Sequence, residues 1–181
     1  MASWGRVARR IRVPLGFVFA AFYLWLAHPV ATSLLAGSAF ITAGLLIRAV
    51  ASGYVQKNEQ LTTSGPYAYT RNPLYLGSLI LAIGFAIAAR SVWIALVLII
   101  LFLTIYLPVI RAEEAHLAQH FPEFEEYKLQ VPRLLPRLHR FGNSEGSFSR
   151  DLYWKHREYN ATLGSAAMMA ALVVKLIWIS R

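Results

Sequence analysis

Long apolar runs constrain this 181-residue chain more than any other feature. A helix needs about 20 consecutive apolar residues to cross the hydrocarbon core of a bilayer. With hydrophobic residues at 57% of the chain, an ordinary soluble domain is excluded. We therefore predict an all-α integral membrane helical bundle, a single membrane domain over residues 1–181, with about five transmembrane helices plus an amphipathic cytoplasmic segment. The predicted spans are residues 13–27, 30–50, 74–89, 92–110 and 161–179.

The basic residues predict which way the bundle faces. Five crossings place the arginines of residues 6–12 and the basic residues of 111–157 on one side of the membrane. Arg90 and Arg181 lie on the other side. The positive-inside rule then puts the N-terminus in the cytoplasm and the C-terminus outside. Arg48 and Lys175, near the ends of two runs, are long enough to snorkel to the interface.

The first apolar run has a second interpretation. A basic stretch followed by an apolar run is typical of a signal peptide. However, His28-Pro29 is a poor small-residue cleavage site, and the next apolar run follows at once. We interpret the run as a retained span, and the compact form without a leader favours a multi-pass protein of a prokaryotic cytoplasmic membrane.

The net charge of +9 points to membrane lipids and not to nucleic acid. The basic residues sit beside hydrophobic spans, with no recognition helix or stacking platform that could read bases. Anionic headgroups are the expected partners of such residues. Because the chain has no cysteine, disulfides, thiolate metal sites and a cysteine nucleophile are excluded.

A polar segment at residues 64–77, here called the elbow, interrupts the apolar runs. Gly65-Pro66 is typical of a turn, and Asn72-Pro73 is typical of a helix start, with asparagine as the cap. A helix that begins in this way directs free backbone N–H groups and the positive end of its dipole at whatever lies in front. Taken alone, the elbow is equally compatible with an ordinary interhelical connection.

A second polar segment, residues 111–136, begins where the fourth run ends. Its Glu113-Glu114 pair is costly to desolvate at a membrane boundary and therefore needs partners or a role. If the fourth helix continues, the pair reaches the same membrane face as the elbow. The simpler alternative is that both carboxylates face water and pair with Arg111 or Lys128. Otherwise they form a binding pocket with the elbow residues Tyr67, Arg71, Asn72 and Tyr75.

Both polar segments resemble the isoprenylcysteine carboxyl methyltransferase family. Residues 65–77 resemble its GPYxxxRNPxYxG signature, and residues 113–136 its EExxL…FGxxYxxYxxxVPRxxP block. The two blocks occur in the right order with a hairpin between them, and the same fold group includes the phospholipid N-methyltransferases. Asn72 stands where eukaryotic members have histidine, and Pro122 where glycine follows phenylalanine.

The resemblance implies an integral membrane methyltransferase that uses S-adenosyl-L-methionine and acts on a lipophilic or lipid acceptor at the cytoplasmic face. Isoprenylcysteine-like carboxylates and phospholipid-like amines are both possible acceptors. The catalytic residues it implies are Arg71, Glu113 and Tyr75. The cofactor-binding residues it implies are Tyr67, Asn72, Tyr75, Gly77, Glu113, Glu114, Tyr127 and Arg133, with no metal.

The residue chemistry is compatible with this interpretation. Methyl transfer from a sulfonium is an in-line displacement that depends mainly on position and orientation. A cationic donor with a ribose and an amino-acid tail suits carboxylates, tyrosine hydroxyls and free backbone amides. The glycine-rich GxGxxG turn of a soluble dinucleotide-type methyltransferase does not occur in the sequence.

Three other functions compete with the methyltransferase. A metal-dependent membrane oxidase would use Glu113, His116 and His120 on one helical face, but di-iron sites of this kind need two Glu-x-x-His elements and the chain has one. An NADPH-dependent membrane lipid or sterol reductase of related fold is the second alternative. A non-enzymatic membrane adaptor is the third, and it predicts no affinity for small molecules.

Overall fold

The computed structural model describes residues 18–56, 60–142 and 146–179. Within these residues all regular structure is helical, and no residue belongs to a strand. The elements in chain order are α1 (residues 18–26), α2 (Ala31–Ser52), a 3₁₀ turn (Gly65–Ala68), α3 (Pro73–Ala89), α4 (Val92–Leu101), a π-helical turn (Phe102–Tyr106), α5 (Leu107–His120), α6 (Phe124–Gln130), α7 (Arg150–Lys155) and α8 (Tyr159–Ile179).

The prediction of an all-α membrane bundle is confirmed. Three helical stretches are long and apolar enough to cross a membrane: Ala31–Ser52, Val92–His120 and Tyr159–Ile179. Pro73–Ala89 is a shorter apolar helix. The first predicted span begins at residue 13, so its residues 13–17 lie outside the described part of the chain.

Helices α2 and α3 form the tightest contact of the bundle, and glycines make it possible. A Cβ on Gly37 would lie 2.6 Å from the carbonyl oxygen of Gly84, and one on Gly44 would lie 2.6 Å from the carbonyl oxygen of Gly77. Small residues allow such close backbone approach between membrane helices. The Ser33 hydroxyl adds a polar link by donating to the Ala88 carbonyl at 3.1 Å.

A buried apolar cluster joins α1 to the other helices. The Tyr23 side chain is almost fully buried, packs edge-on against Phe85 and donates from its hydroxyl to the Phe85 carbonyl at 2.8 Å. Lys175 of α8 donates to the Leu24 and Trp25 carbonyls near the end of α1. Lys175 therefore binds helix-end carbonyls, which the sequence expectation of snorkelling did not include.

The fourth apolar run continues without a break into the second polar segment. Helices α4 and α5 are joined by the π-helical turn, where the Leu107 amide donates to the carbonyl of Phe102, five residues earlier. Pro108, which has no amide hydrogen, follows within the first turn of α5. The continuous helix carries Glu113 and Glu114 past the apolar part to the level of the elbow.

After α6 the chain crosses back over the elbow as a segment without regular structure, residues 131–141, here called the strap. Its start packs into a small core with α6 formed by Phe124, Tyr127 and Val131, all nearly fully buried. Backbone hydrogen bonds fasten the strap to the elbow: Arg71 N donates to Pro132 O at 2.9 Å and Arg137 N to Tyr69 O at 2.9 Å. The strap thus holds the elbow in place above the N-terminus of α3.

Candidate functional site

The elbow is shaped by a glycine in the left-handed region. Gly65 has a φ of +57°, and a Cβ there would lie 2.6 Å from the Tyr54 ring. The 3₁₀ turn that follows leads through Thr70, whose hydroxyl donates to the carbonyls of Arg133 and Leu134 at 3.2 and 3.0 Å. Thr70 was not among the predicted site residues, although it is one of the elbow's main attachments to the strap.

Glu114 is the centre of the buried polar cluster. It is 6% exposed, and both of its carboxylate oxygens have partners. The Asn72 amide donates to Oε1 at 3.0 Å, while Arg133 donates to Oε2 from Nε at 3.0 Å and from Nη2 at 2.8 Å. The alternative in which Glu114 faces water and pairs with Arg111 or Lys128 is therefore wrong. Lys128 pairs with Glu125 instead.

Arg71 supplies a second cation to the same carboxylate, and its side chain, unlike that of Arg133, is buried. Its Nε lies 3.2 Å from Glu114 Oε1, but the N–H is not aimed at an acceptor and makes no hydrogen bond. Its Nη1 donates to the Lys128 carbonyl at 3.0 Å. Arg71 thereby ties the elbow to α5 and α6, which is a structural reason for an arginine at this position.

Asn72 occupies the N-cap position of α3, but its side chain does not cap the helix. It is the residue before α3, yet the side chain makes no hydrogen bond to the first amides of α3. The Nδ2 group bridges Glu114 and the Arg133 carbonyl, the latter at 3.1 Å. The expectation of an asparagine side-chain cap is therefore wrong, because the buried carboxylate and the strap carbonyl compete for the same amide.

Glu113 differs from its neighbour in facing outward. Its Oε1 accepts from the Tyr75 hydroxyl at 3.0 Å, and the residue is exposed. The Tyr75 ring meets Tyr106 edge-on at 6.0 Å, and Tyr106 stacks on Phe102 at 5.8 Å. An accessible carboxylate thus lies at the end of a row of three aromatic rings.

Tyr67 of the elbow and Tyr127 of α6 form a buried pair. The Tyr127 hydroxyl donates to the Tyr67 carbonyl at 2.7 Å. Burial raises the pKa of both phenols well above their ordinary value, and nearby Glu114 raises that of Tyr127 further while Arg71 opposes the shift. Both residues therefore remain neutral, and their contacts hold the elbow on α6.

Gly77 lies in the contact between α2 and α3. A Cβ at this position would lie 2.6 Å from Arg48 Cγ and 2.8 Å from the Gly44 carbonyl oxygen. Helix packing alone explains a glycine here. A contact between Gly77 and a cofactor stays a prediction.

Sequence reasoning missed a second polar group around Arg48. Arg48 pairs with Glu158 through Nε at 3.1 Å and through Nη2 at 2.9 Å to each carboxylate oxygen. Its Nη1 also donates to the Ser78 hydroxyl. The two residues are 110 positions apart, so no local pattern could have paired them. Arg48 is half-buried among polar partners and does not simply snorkel.

Two adjoining cavities lie on the apolar side of this second group. One of about 420 Å³ is lined by residues of α1, α2, α3, α4, the π-helical turn and α8, including Arg48, Ser78 and Asn160. The other, of about 720 Å³, is lined mainly by apolar residues of α3, α4 and the π-helical turn. Tyr106 lines both. None of the predicted site residues lines either cavity, and Tyr106 connects them to Tyr75.

The histidines of α5 make no metal cluster. His116 and His120 have ring centroids 4.0 Å apart, and His120 Nδ1 lies 2.8 Å from the His116 carbonyl oxygen. Within the described residues, no group of three or more potential His, Asp or Glu ligands could hold a metal ion.

Comparison with known proteins connects this architecture to a family. The sequence model of the phospholipid methyltransferase family (PEMT) matches residues 15–123, which include the elbow, both glutamates and the helices between them. The chain belongs to the phospholipid methyltransferase family. The resemblance to membrane methyltransferases is thereby confirmed.

Three curated proteins are similar to this member of the family. The nickel-cobalt-cadmium resistance protein NccN of Alcaligenes xylosoxydans xylosoxydans is 33% identical over 135 residues, covering 71% of this chain and 62% of that protein. The cobalt-zinc-cadmium resistance protein CzcN of Cupriavidus metallidurans is 42% identical over 83 residues, 46% of this chain and 38% of that protein. The protein-S-isoprenylcysteine O-methyltransferase of Schizosaccharomyces pombe is 27% identical over 141 residues, 75% of this chain and 60% of that protein.

The matches cover only part of each relative, between 38% and 62% of its length. No solved structure matches the chain. The apolar helices indicate an integral membrane protein.

Proposed function

We propose that this protein transfers a methyl group from S-adenosyl-L-methionine to a lipophilic acceptor at the cytoplasmic face of the membrane. The observation that carries the proposal is the accessible Glu113 carboxylate at the end of the Tyr75, Tyr106 and Phe102 row. Bound S-adenosyl-L-methionine would supply an electrophilic methyl group on a sulfonium centre.

The residues of this row fit such a cation. Aromatic faces attract positively charged ligands, and a carboxylate adds direct charge attraction. The Tyr75 hydroxyl donates to Glu113 and so fixes the direction of the carboxylate. Glu114 cannot serve in the same way, because its two oxygens are already occupied by Asn72, Arg71 and Arg133.

The buried cluster has a positioning role in this proposal. Glu114 joins α5 to Asn72 and Arg71 of the elbow and to Arg133 of the strap. Because Glu113 precedes Glu114 on α5 and Tyr75 lies three residues after Asn72 in the elbow, this cluster sets the separation of the two site residues. Methyl transfer is sensitive to small errors in position, so the cluster supports the reaction without contacting the reacting atoms.

The cavities are suited to the acceptor. The larger one offers a mainly apolar space of about 720 Å³ between α3 and α4. The smaller one offers Arg48, Ser78 and Asn160 on its wall. A lipophilic acceptor with a polar or anionic end would place its apolar chain in the larger cavity and its end group near Arg48 in the smaller one. Tyr106 would lie between these cavities and the Glu113 row.

Calorimetric titration of the purified protein in detergent with S-adenosylhomocysteine tests the proposal, and NADPH is the comparison ligand. We expect S-adenosylhomocysteine to bind and NADPH to give no heat. Glu113→Gln should weaken binding of S-adenosyl-L-methionine, titrated in the same way, about tenfold or more, because it removes the charge that faces the sulfonium. The loss should be smaller for S-adenosylhomocysteine, whose sulfur is uncharged. Glu123→Gln changes an exposed glutamate of the same membrane face and should leave binding unchanged.

A signal for NADPH with none for S-adenosylhomocysteine would favour a membrane reductase and overturn the proposal. Unaltered S-adenosyl-L-methionine affinity in Glu113→Gln would retain the cofactor but show that the site lies elsewhere.

A further inference from the structure

The strap carries leucines that the fold leaves almost completely uncovered. Leu135 is 77% exposed and Leu138 is 93% exposed, and Leu129 at the end of α6 is 86% exposed. These residues lie outside the apolar helices that are long enough to cross a membrane. Neighbouring large apolar side chains exposed on a protein surface indicate an interaction site.

Mobility of the strap does not explain this exposure, because its backbone is fastened along its length. Besides its bonds to Arg71 and Tyr69, the strap donates from Phe141 N to Ala68 O at 3.0 Å and accepts from Thr70 at the carbonyls of Arg133 and Leu134. The Arg137 side chain also donates to the Gln130 carbonyl at 3.0 Å. The fold therefore presents the leucines in fixed positions.

The charge of the strap selects the kind of partner. Residues 131–141 contain Arg133, Arg137 and Arg140 and no acidic residue. The Arg133 guanidinium is used by Glu114, while Leu138 stands between the other two arginines in sequence. Leucines and arginines mixed in one short segment match a surface that is anionic outside and apolar beneath, as in the interface of a bilayer with anionic lipids.

The strap also lies level with the ends of the apolar helices, where the membrane surface is expected. It is bonded to Thr70, Arg71 and Asn72, and the apolar helix α3 begins at Pro73, the next residue. Helix α5 ends near the same level, after 29 continuous helical residues from Val92 to His120. A span of about 20 residues crosses the hydrocarbon, so the remaining turns of this helix emerge at the interface, next to the strap.

We propose that the strap is a membrane-contact surface that binds anionic phospholipid headgroups of the surrounding bilayer. Leu135 and Leu138 would enter the interface between lipid chains, and Arg137 and Arg140 would contact headgroup phosphates. Because the strap also holds the elbow and supplies Arg133 to Glu114, its contact with lipid would steady the elbow. The lipid contact itself does not rest on the proposed function and can be measured without any cofactor.

The absence of native cysteines makes a site-specific probe straightforward. Leu138→Cys and the control Glu123→Cys, on exposed residues of the same face, would each be labelled with an environment-sensitive fluorophore. The labelled proteins would be reconstituted in nanodiscs of phosphatidylcholine alone or mixed with phosphatidylglycerol, with a quencher attached to the lipid chains. We expect quenching at position 138 to exceed that at 123 by about twofold or more, and to increase further with phosphatidylglycerol.

Two further arms test the charge. Adding Arg137→Gln and Arg140→Gln to the labelled Leu138→Cys protein should remove the increase caused by phosphatidylglycerol, and raised salt should have the same effect on the labelled Leu138→Cys protein that keeps both arginines. The salt arm needs no substitution beyond the labelled cysteine. Equal quenching at 138 and 123, or a signal at 138 that is the same in both membranes, would overturn the proposal. Binding of S-adenosylhomocysteine by the same preparations reports separately on the proposed function.

Discussion

At the scale of single residues, the adjacent glutamates 113 and 114 have opposite environments. Glu114 is enclosed by two arginines and an asparagine, and it joins three parts of the chain. Glu113 is exposed and contacts only one described hydrogen-bond donor, Tyr75. Consecutive helical residues point about 100° apart, so one carboxylate of such a pair can be buried while the other stays accessible.

Replacement of Glu114 should destabilise the protein more than it alters chemistry. Glu114→Gln leaves the buried Arg71 without its counter-charge, and breaking a buried ion pair in this way costs about 3 kcal/mol. We expect the free energy of unfolding in mixed micelles to fall by about that amount. Glu123→Gln, on an exposed residue, is the matched control and should change it by less than about 0.5 kcal/mol. Equal stability of the two variants would contradict a structural role for Glu114.

The buried phenol of Tyr127 predicts a dependence of stability on alkaline pH. Its pKa is raised above the ordinary 10.0 chiefly by burial, so the folded state retains a proton that the unfolded state releases. The stabilisation is complete below pH 10 and is lost as the pH rises beyond it. The unfolding free energy of Tyr127→Phe should therefore decline less between pH 8 and pH 11, by titration in micelles, than that of the unmodified protein.

The same measurement on Tyr69→Phe provides a comparison, since Tyr69 is 39% exposed. Tyr127→Phe should also lose about 1 kcal/mol at neutral pH with its bond to the Tyr67 carbonyl. If both variants follow the pH dependence of the unmodified protein, the account of the buried phenol is wrong.

At the scale of elements, the π-helical turn determines how α4 and α5 are rotated relative to each other. A π-helical turn accommodates one residue more than an α-helix of the same length. The residues of α4 and α5 therefore keep the relative orientation that they would have in one α-helix without the extra residue. Its aromatic residues Phe102 and Tyr106 line the apolar cavity, and Tyr106 contacts Tyr75. The turn therefore alters the wall of the cavity while α5 still directs Glu114 at the elbow.

Single-residue deletions distinguish this turn from the rest of the helix. Deletion of Leu103 should convert the turn to α-helix and keep Glu114 facing Asn72, with only a small decrease in melting temperature. Deletion of Val97, within regular α4, should rotate the two ends of the helix by about 100° and prevent folding. Thermal unfolding in detergent measures both. Similar behaviour of the two deletions would show that the turn does not absorb the extra residue.

Close packing of α2 on α3 gives a second prediction for an element. A Cβ on Gly84 would lie 2.8 Å from the Gly37 carbonyl oxygen, and the helices would have to separate. Gly84→Ala should therefore lose about 2 kcal/mol of stability, as measured by unfolding in micelles. Gly164→Ala is the control, because nothing lies within 4 Å of a Cβ at that position of α8. An equal or smaller loss in Gly84→Ala would contradict the tight contact.

At the scale of the whole molecule, the sequence predicted the parts that depend on local patterns. Apolar runs indicated the helical bundle, and continuation of the fourth run correctly brought Glu113-Glu114 to the elbow. Their separate roles could not be predicted, because these depend on the rotation of α5 and on which side chains enclose each carboxylate. The assignment of cofactor and catalytic roles to these residues stays a prediction.

Contacts between distant segments account for most of what was missed. The pairing of Arg48 with Glu158 joins α2 to the start of α8, and the Arg133 guanidinium reaches Glu114 from a strap without regular structure. Neither pair has a helical spacing that a sequence would reveal.

The central claim is that the protein methylates a lipophilic acceptor with S-adenosyl-L-methionine. The most direct measurement reconstitutes it in liposomes made from a bacterial lipid extract, with S-adenosyl-L-methionine labelled in the methyl group. The account predicts that label enters the organic-extractable fraction with the unmodified protein and the Glu123→Gln control. Glu113→Gln should reduce the rate about tenfold or more. Binding of S-adenosylhomocysteine without any transfer to extractable material would contradict a lipophilic acceptor, and no binding at all would contradict the claim itself.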